Sequence, residues 1–415
     1  MSGGAGPGLV EARALDATDP LAGFRDRFIL PDGVIYMDGN SLGPLPRAAR
    51  ERMRQAVEEE WGQGLVRSWN DAGWIGAPQR VGAKIARLIG ARDHEVVVAD
   101  STSVALFKLL VAGVRARPGR RVILTETGNF PTDLYIAQGV AALSPDVEVR
   151  AIDPAEVVAA IDETVAVVML TQVHYKTAAR RDMAAVTARA HAAGALMLWD
   201  LSHSAGAIPV DLYTDDVDLA VGCGYKFLNG GPGAPAYVFV AERLQATLAS
   251  PITGWMGHAE AFAFVDDFRP APGMAAWLTG TPPILSLTAL EAGVDLMLEI
   301  GPEALAGKSS ALWDLFVTRL ETRCAGQGFE LITPRDPALR GSHVSLTHPE
   351  GYRIMQALIA RGVIGDFRAP DVLRLAITPL YMRFEEVWRA AETLSEIMES
   401  GAWREQEPFS SARVT

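Results

Sequence analysis

Short apolar runs alternate with stretches of helical periodicity between residues 94 and 240. The runs lie at 95–100, 121–126, 165–173, 195–200, 218–224 and 234–240, as in EVVVAD and RVILTE. Helical patterns such as SVALFKLLVAGVRA and PTDLYIAQGVAAL separate them. Because an uninterrupted apolar run has no polar face, each predicted strand must be covered on both sides. The pattern therefore predicts an α/β fold, with a mostly parallel sheet flanked by helices.

The pattern changes after about residue 285. A long helical stretch is predicted over 286–325, followed by strands at 343–348 and 372–378 and by helices in GYRIMQALIARG and FEEVWRAAETLSEIMES. This mixture is typical of a smaller α+β domain. The turn-rich segment VIYMDGNSLGPLP is neither clear helix nor clear strand, so we expect the first 50 residues to pack on that domain or on the functional site. The predicted domains are 51–285, and 1–50 together with 286–415.

Charge and composition exclude several classes of partner. The chain has 38 Lys and Arg against 50 Asp and Glu, a net charge of −12, which repels nucleic acid. Its two cysteines cannot form a disulfide framework, as is typical of proteins in a reducing compartment. The first twenty residues lack the basic and apolar regions of a signal peptide, and no apolar run approaches the ~20 residues of a membrane span. We therefore expect a cytoplasmic protein with neither a nucleic-acid nor a membrane partner.

Polar and aromatic side chains follow the carboxyl ends of the predicted strands, the edge where ligands bind in parallel sheets. They are, in chain order, Ser101, Thr102, Phe130 and Asp133 within GNFPTD, Thr171, Asp200, His203, Tyr225 and Lys226. Taken one at a time, each has an ordinary structural explanation. Ser101 could cap a helix, Phe130 could lie in the core, and Lys226 could be a solvated loop residue.

Together these side chains match the demands of one cofactor, pyridoxal 5′-phosphate (PLP). Its aldehyde needs a lysine for a Schiff base, supplied by Lys226, and its phosphate needs a helix N-terminus, supplied at Ser101 and Thr102. The ring needs an aromatic face, for which Phe130 is the candidate. A carboxylate such as Asp200 keeps the pyridine nitrogen protonated, and His203, three residues later, is close enough for the ring hydroxyl.

Motifs for other chemistries are missing from the sequence. There is no G-x-G-x-x-G at a strand–helix junction, and GGPGAP at 230–235 lacks the spacing and the lysine of a phosphate-binding loop. No Cys/His cluster has zinc spacing. GNSLG at 39–43 fits the letters G-x-S-x-G, but it lies in the turn-rich segment, without the predicted strand and helix of a nucleophile elbow. The sequence thus disfavours nicotinamide, metal and serine-hydrolase chemistry.

With these residues in place, the chain resembles the kynureninases, in the type I, aminotransferase-like family of PLP enzymes. The resemblance runs nearly end to end and rests on YMDGNSLGPLP, NFPTDLY, WDLSHSAGAIPVDL, GCGYKFLNGGPG, GWMGH, GTPPILS and RLAITPLY. D-x-x-H and a lysine alone would identify only the superfamily. The segment D-L-x-H-x-x-G, then Y-K-F-L-N and later T-P-P, is much more specific.

The resemblance implies a type I PLP-enzyme fold and a role for each matching position. Lys226 would bind the cofactor aldehyde, Asp200 the pyridine nitrogen and Phe130 the ring face. Ser101, Thr102 and Tyr225 would bind the phosphate end, while Thr171, Asp133 and His203 would contact the ring. Trp255 and Thr281 would reach the cofactor phosphate of a neighbouring subunit, which implies a homodimer with shared active sites. For the substrate, Arg374 would bind the α-carboxylate, with Asn40 and Ser41 as further substrate-binding residues.

The activity implied is hydrolysis of L-kynurenine, and of its 3-hydroxy derivative, to anthranilate or 3-hydroxyanthranilate and L-alanine. Lys226 would move the α-proton, and Tyr225 is a candidate proton donor. The chain departs from the family pattern in two places. Thr281 stands where some members have asparagine, and both residues can donate to a phosphate oxygen. WGQGLVRSWNDAGW at 61–74 does not match the family's aryl-binding region residue by residue, which leaves the fine substrate preference open. The alternatives are an aminotransferase, a cysteine desulfurase and, from another class, a PLP-binding module without turnover.

Overall fold

The computed structural model describes residues 8–409, which divide into two compact units. The large unit comprises residues 48–175 and 181–299. The described part of the small unit comprises residues 8–47, 176–180 and 300–409. Part of the segment on which the signal-peptide expectation rests, residues 1–7, lies outside the described residues.

The helices and strands are numbered in chain order. The α-helices are α1 Leu9–Thr18, α2 Arg47–Gln55, α3 Ser68–Asp71, α4 Ala77–Leu88, α5 Thr102–Arg115, α6 Pro131–Leu143, α7 Met183–Ala192, α8 Glu242–Gln245, α9 Ile284–Leu298, α10 Pro302–Arg323, α11 Gly351–Ala360 and α12 Phe384–Ser400. A π-helical segment, Ala56–Gly64, follows α2. The strands are β1 Phe28–Ile29, β2 Ile35–Tyr36, β3 Leu45–Pro46, β4 Val96–Val98, β5 Val122–Glu126, β6 Glu148–Ile152, β7 Val165–Thr171, β8 Leu196–Asp200, β9 Leu219–Cys223, β10 Ala236–Val240, β11 Glu330–Leu331, β12 His343–Thr347, β13 Val363–Ile364, β14 Asp366–Arg368 and β15 Val372–Ala376.

The large unit is built on a seven-stranded sheet with the order β4-β10-β9-β8-β7-β5-β6. Strands β6, β5, β7, β8 and β9 pair in parallel, and β10 runs antiparallel to both of its neighbours, β9 and β4. Strand β4 therefore points the same way as β9. As a result, the carboxyl ends of β4, β5, β7, β8 and β9 all lie at one edge of the sheet.

Both faces of this sheet are covered, which explains the apolar runs of the sequence. Every residue of β4, β5, β7, β8, β9 and β10 is buried, whereas the edge strand β6 alternates exposed and half-buried residues. Helix α5 packs closely on one face, because Gly113 leaves no room for a side chain beside Val167 and Leu196. The predicted mostly parallel α/β architecture is confirmed.

The small unit has an antiparallel sheet with the order β11-β12-β15-β14. Helices α10 and α11 pack against this sheet, and α12 packs on α1, α10 and α11. Two short strands from the turn-rich amino-terminal segment, β1 and β3, pair with each other, and β2 pairs in parallel with β13. The amino-terminal segment thus forms short strands that its sequence pattern did not predict.

The long helix predicted over 286–325 is wrong as a single element. The chain forms α9 and α10 instead, separated at Gly301, whose φ of 83° leaves the helical region. Pro302 then starts α10 at a position where its missing N–H costs nothing. The apolar spacing continues across this break, so the periodicity alone did not reveal it.

The contact grouping also differs from the predicted domain bounds in two places. Helix α9 groups with the large unit, where Glu291 binds Arg80 and Lys84 of α4 at 2.9 Å. Residues 176–180 group with the small unit, where Arg180 N–H donates to the Leu339 carbonyl. Within residues 8–409, no helix is both long and apolar enough to cross a membrane.

Two helix glycines of the large unit should respond to alanine with opposite signs. A Cβ at Gly113 would lie 2.7 Å from Val167 Cγ2, so Gly113→Ala should destabilise the fold by about 1–3 kcal/mol. Gly139 in α6 is exposed with no atom within 4 Å of its Cβ position, so Gly139→Ala should stabilise by roughly 0.5–1 kcal/mol. Denaturant unfolding of the two variants checks both signs. Equal effects would contradict the close helix–sheet contact.

Candidate active site

Lys226 lies on a tight loop that follows β9. The loop closes where Gly230 N–H donates to the Gly224 carbonyl at 2.9 Å. Neither glycine has room for a side chain, since a Cβ at Gly224 would lie 2.6 Å from the Pro235 carbonyl. Asn229 has a φ of 55°, which asparagine tolerates better than most residues. The Gly/Asn run after the lysine therefore allows the sharp turn that places Lys226 at the edge of the sheet.

Side chains from two other strand ends surround Lys226. Its Nζ lies 3.0 Å from His203 Nε2, in the turn after β8. It also lies 5.8 Å from the centre of the Phe130 ring and 5.8 Å from that of Tyr225. Phe130 is 39% exposed and makes an edge contact with Tyr175, with ring centres 5.2 Å apart. The structure thus brings together the predicted lysine, histidine and aromatic side chains.

Two buried carboxylates give this edge an excess of negative charge. Burial raises the pKa of Asp200, against the opposing effects of its hydrogen bond from Ser202 and of Lys226. Burial also raises the pKa of Asp133 well above its usual range, and the nearby Asp200 raises it further. Among the described residues, neither carboxylate oxygen of Asp133 makes a hydrogen bond of ordinary geometry. Lys226 is the cation that opposes both shifts, and it does not cancel either of them.

Asn129, which sequence reasoning missed, connects two of the predicted residues. Its Oδ1 accepts a hydrogen bond from Thr171 Oγ1 at 2.6 Å and another from Phe130 N–H at 2.7 Å. Its Nδ2 donates to Thr125 Oγ1 at 3.4 Å. Asn129 therefore holds the end of β7 and the start of α6 together. A buried asparagine directly before the Phe-Pro pair was the available signal.

Ser101 and Thr102 begin helix α5, as predicted. Ser101 is the N-cap, and its Oγ accepts a hydrogen bond from Val104 N–H at 3.4 Å. The preceding residue, Asp100, has a φ of 55°, in the left-handed region. Helix N-termini bind anions through their N–H groups and the helix dipole. Tyr225 is half-buried, and burial, followed by the neighbouring Cys223 and Asp200, raises the pKa of its phenol, so the hydroxyl keeps its proton at neutral pH.

Trp255 and Thr281 are surface residues of the large unit. Both are exposed, and Trp255 makes an edge contact with Phe262 at 5.6 Å between ring centres. In residues 8–409, no hydrogen bond or ring contact joins either one to Lys226. In the 61–74 segment, Trp69 and Trp74 pack edge to face at 5.7 Å, and Trp74 Nε1 donates to Glu60.

Arg374 occupies a second polar cluster, in the small unit. It lies on β15 directly opposite Asp366 on β14, and its Nε donates to Asp366 Oδ1 at 2.7 Å. Its Nη2 donates to Asp366 Oδ2 and, at 3.2 Å, to Ser41 Oγ, which in turn donates to Asp366 at 2.8 Å. Burial pushes the pKa of Asp366 up, but the bonds and charge of Arg374, together with Arg368 and Ser41, outweigh it and the net pKa is lowered. The guanidinium is thus buried and held in one orientation.

Asn40 and Asp38 lie in the same segment as Ser41. Asn40 is fully buried, and both of its side-chain polar atoms lack a hydrogen-bond partner among the described residues. Burial and then Asp366 raise the pKa of Asp38 to about 7. Buried polar atoms without partners are costly, so they point to a bound group that satisfies them. The predicted Arg374, Asn40 and Ser41 therefore belong to a polar region suited to a ligand.

The chain's own residues fit PLP. A protonated pyridine nitrogen would supply the positive charge that Asp200 and Asp133 lack. A phosphate would take the N–H groups at the start of α5, and the Phe130 ring offers an accessible face. Lys226 is half-buried, and its Nζ lies 3.0 Å from His203 Nε2. Each demand of the cofactor thus has a matching side chain at one edge of the sheet.

Neutralising Asp133 should stabilise the protein without cofactor. Because its folded-state pKa is raised, Asp133 contributes stability at low pH that is lost as the pH rises through that pKa. Asp133→Asn should therefore raise the melting temperature at pH 8 by about 2–4 °C and have little effect at pH 4. The exposed Asp146→Asn is the control, with no change at either pH. A pH-independent effect of Asp133→Asn would contradict the raised pKa.

Two family models and a curated relative match this chain. The kynureninase C-terminal domain family matches residues 305–394, and the DegT/DnrJ/EryC1/StrS aminotransferase family matches residues 65–211. A kynureninase of Burkholderia mallei (strain SAVP1) is 54% identical over 411 residues, covering 98% of this chain and 99% of its own. The similarity therefore includes both units.

Solved structures with this fold are more distant in sequence. A cysteine desulfurase from Thermococcus onnurineus NA1 aligns with a TM-score of 0.76 at 18% identity, over 91% of this chain and 98% of its own. A C-DES mutant with glycine covalently linked to PLP aligns with a TM-score of 0.74 at 17% identity, over 90% of this chain and 99% of its own. These likenesses establish the fold, and the close relative establishes the family. The chain belongs to the kynureninase family of PLP-dependent enzymes.

Proposed function

We propose that the chain catalyses the hydrolysis of L-kynurenine, cleaving Cβ–Cγ with one water to give anthranilate and L-alanine. The observation that carries this proposal is the position of Lys226. Its Nζ lies 3.0 Å from His203 Nε2 and faces Phe130, at the edge where the buried Asp200 ends β8. The family supplies the substrate, and this cluster supplies the groups that the reaction needs.

The cofactor residues have distinct roles in this proposal. Bound PLP supplies a ring that draws electrons away from the amino-bearing carbon of the substrate. Lys226 holds the cofactor aldehyde, and its amine then moves the proton at Cα of the substrate. Asp200 keeps a proton on the pyridine nitrogen, and His203 binds the ring hydroxyl. Phe130 covers one face of the ring and excludes water from it.

The remaining residues of the cluster contact the ring, bind the phosphate or transfer a proton. Thr171 and Asp133 contact the ring, with Thr171 held in place by Asn129. Ser101 and Thr102 bind the phosphate at the start of α5. The Tyr225 hydroxyl, whose pKa is raised by burial, carries a proton near the phosphate and donates it when Cβ–Cγ breaks. General acid help of this kind contributes on the order of 10²–10⁴ in rate.

Arg374 binds the α-carboxylate of the substrate, assisted by Ser41 and Asn40. A guanidinium presents paired N–H groups that match a carboxylate. Asp366 holds this guanidinium in a fixed orientation, so that little side-chain entropy is lost when the substrate arrives. The orphaned amide of Asn40 supplies a further donor and acceptor for the amino-acid end.

The same chemistry applies to 3-hydroxy-L-kynurenine, which differs only on the aryl ring. The rival activity suggested by fold, cysteine desulfuration, requires an accessible thiolate of low pKa. Both cysteines are buried, and burial raises the pKa of Cys324 to about 11. Two buried, unpaired thiols are also typical of a cytoplasmic protein, which is the location we propose.

A homodimer with shared active sites completes the proposal. Trp255 and Thr281 are exposed and, among the described residues, make no hydrogen bond or ring contact with Lys226, as expected of residues that serve a neighbouring copy. Near Trp255, Phe262, Phe264 and Val265 are also exposed, at 63%, 79% and 55%. Apolar surface of this kind is usually covered by a partner.

Lys226→Ala should abolish the reaction. The wild type with PLP should be yellow and should form fluorescent anthranilate and alanine from L-kynurenine. The variant should form neither, a loss of at least about 10³-fold, because it lacks both the covalent link and the proton carrier. Lys84→Ala, which removes an ion-paired lysine on α4, is the matched control and should retain activity. A yellow wild type that makes no anthranilate but accepts a keto acid would move the function to an aminotransferase.

Mixing two inactive variants should restore activity if the sites are shared. In a hybrid of Lys226→Ala and Trp255→Ala chains, one of the two sites has an intact Lys226 and an intact Trp255 from opposite copies. Random reassociation should therefore recover about a quarter of wild-type activity. Two Lys226→Ala preparations mixed together are the control. No recovery from dimers shown to have exchanged would contradict shared sites.

A further inference from the structure

A buried lysine on helix α5 has no role in the reaction as described. Lys108 is fully buried, and its Nζ has three acceptors. They are Asp100 Oδ2 at 2.5 Å, the Trp277 carbonyl at 2.8 Å and Thr279 Oγ1 at 2.6 Å. One ammonium therefore connects the end of β4, the body of α5 and the 277–279 segment.

The first connection is to the residue that precedes the phosphate-binding helix start. Asp100 has a φ of 55°, a conformation that costs a non-glycine residue free energy. Its carbonyl accepts from Ala236 N–H at 2.9 Å, and its carboxylate is held by Lys108. These two bonds oppose relaxation of Asp100. The direction in which Ser101 and Thr102 leave β4 depends on that conformation.

The second connection is to the segment that carries Thr281 and contacts the residues on either side of Trp255. Thr279 lies two residues before Thr281, and its carbonyl accepts from Met256 N–H at 3.2 Å. A Cβ at Gly254 would lie 2.2 Å from the same carbonyl, so the two segments are in close contact. Lys108 thus also holds the segment of Thr281, which packs on the segment of Trp255, the other residue assigned to the partner's phosphate.

Burying a lysine is an expensive way to stabilise a fold. Apolar side chains in place of a whole buried ion pair are often as stabilising or more so, since they avoid removing charges from water. The geometry instead serves orientation, because the three donors of the ammonium meet three acceptors in two segments that are distant in the chain. A methionine in place of Lys108 would not hold those segments in position around the phosphate-binding residues.

We propose that Lys108 is a positioning residue for the cofactor phosphate, which sets the start of α5 and the Thr279–Thr281 loop through its bonds to Asp100, Trp277 and Thr279. The inference rests on the proposed assignment of Ser101, Thr102 and Thr281 to the phosphate. The ring-binding residues Asp200 and Phe130 follow other strands. Loss of Lys108 therefore weakens recognition of the phosphate and leaves recognition of the ring unchanged.

The test compares PLP with pyridoxal, which lacks the phosphate, on the full-length protein without cofactor. Absorbance titration gives the dissociation constants of the wild type and of Lys108→Met. We expect PLP binding to weaken by about tenfold in Lys108→Met, as for loss of charge-assisted hydrogen bonds, with pyridoxal binding changed less than about twofold. A purely structural role would weaken both ligands alike.

Lys308→Met is the matched control. Lys308 is another buried lysine, paired with Asp19 at 2.6 Å in the small unit. Its replacement should lower the melting temperature as Lys108→Met does but leave the preference for PLP over pyridoxal intact. Thr279→Val, which removes one acceptor and little volume, serves if Lys108→Met does not fold. It should reduce the preference for PLP severalfold.

The outcomes separate this inference from the proposed function. A wild type that binds PLP no more tightly than pyridoxal would contradict the proposed assignment of Ser101, Thr102 and Thr281 to the phosphate. A wild type that prefers PLP, with an equal preference in Lys108→Met and Thr279→Val, would overturn the role of Lys108 alone. A selective loss of PLP affinity in these variants, but not in Lys308→Met, establishes it.

Discussion

Burial of both faces of the central sheet is the constraint on which the rest of the large unit depends. Strands covered by helices on both sides have no polar face, so side chains with chemical functions can occur only where strands end. Six of the seven strands point the same way, which concentrates those ends at one edge. Lys226, Asp200 and Thr171 come from positions up to 55 residues apart, yet they meet because parallel pairing aligns the ends of β7, β8 and β9.

The electrostatics of this edge are incomplete without a ligand. Asp200 and Asp133 are buried acids whose pKa values are raised, and the nearest cation is the half-buried Lys226. In the small unit the balance is reversed, since Asp366 already neutralises Arg374. Asp200 and Asp133 therefore gain from binding a cation such as a pyridinium. The Arg374 guanidinium is already held in one orientation, so that binding an anion costs little further side-chain entropy.

The strands, the class of fold and the Lys226 cluster could be predicted because their signals are local. A run of Val and Leu, or a lysine framed by glycines, is visible within ten residues. Asn129 and Lys108 could not be predicted in this way, because Thr171 lies 42 residues from the former and Thr279 lies 171 residues from the latter. The edge strand β6 was missed because it is half exposed and lacks a continuous apolar run.

The antiparallel strand of the seven-stranded sheet, β10, affects the geometry of the site. Because β10 lies between β4 and β9, the start of α5 and the loop of Lys226 are separated by two strand spacings, roughly 10 Å. At this edge β10 presents its amino end, reached through the glycine-rich segment 230–235, and no helix begins there. The sheet thus leaves a gap of molecular width between an anion-binding terminus and an amine. A flat ligand with a phosphate at one end and an aldehyde at the other has the dimensions to bridge it.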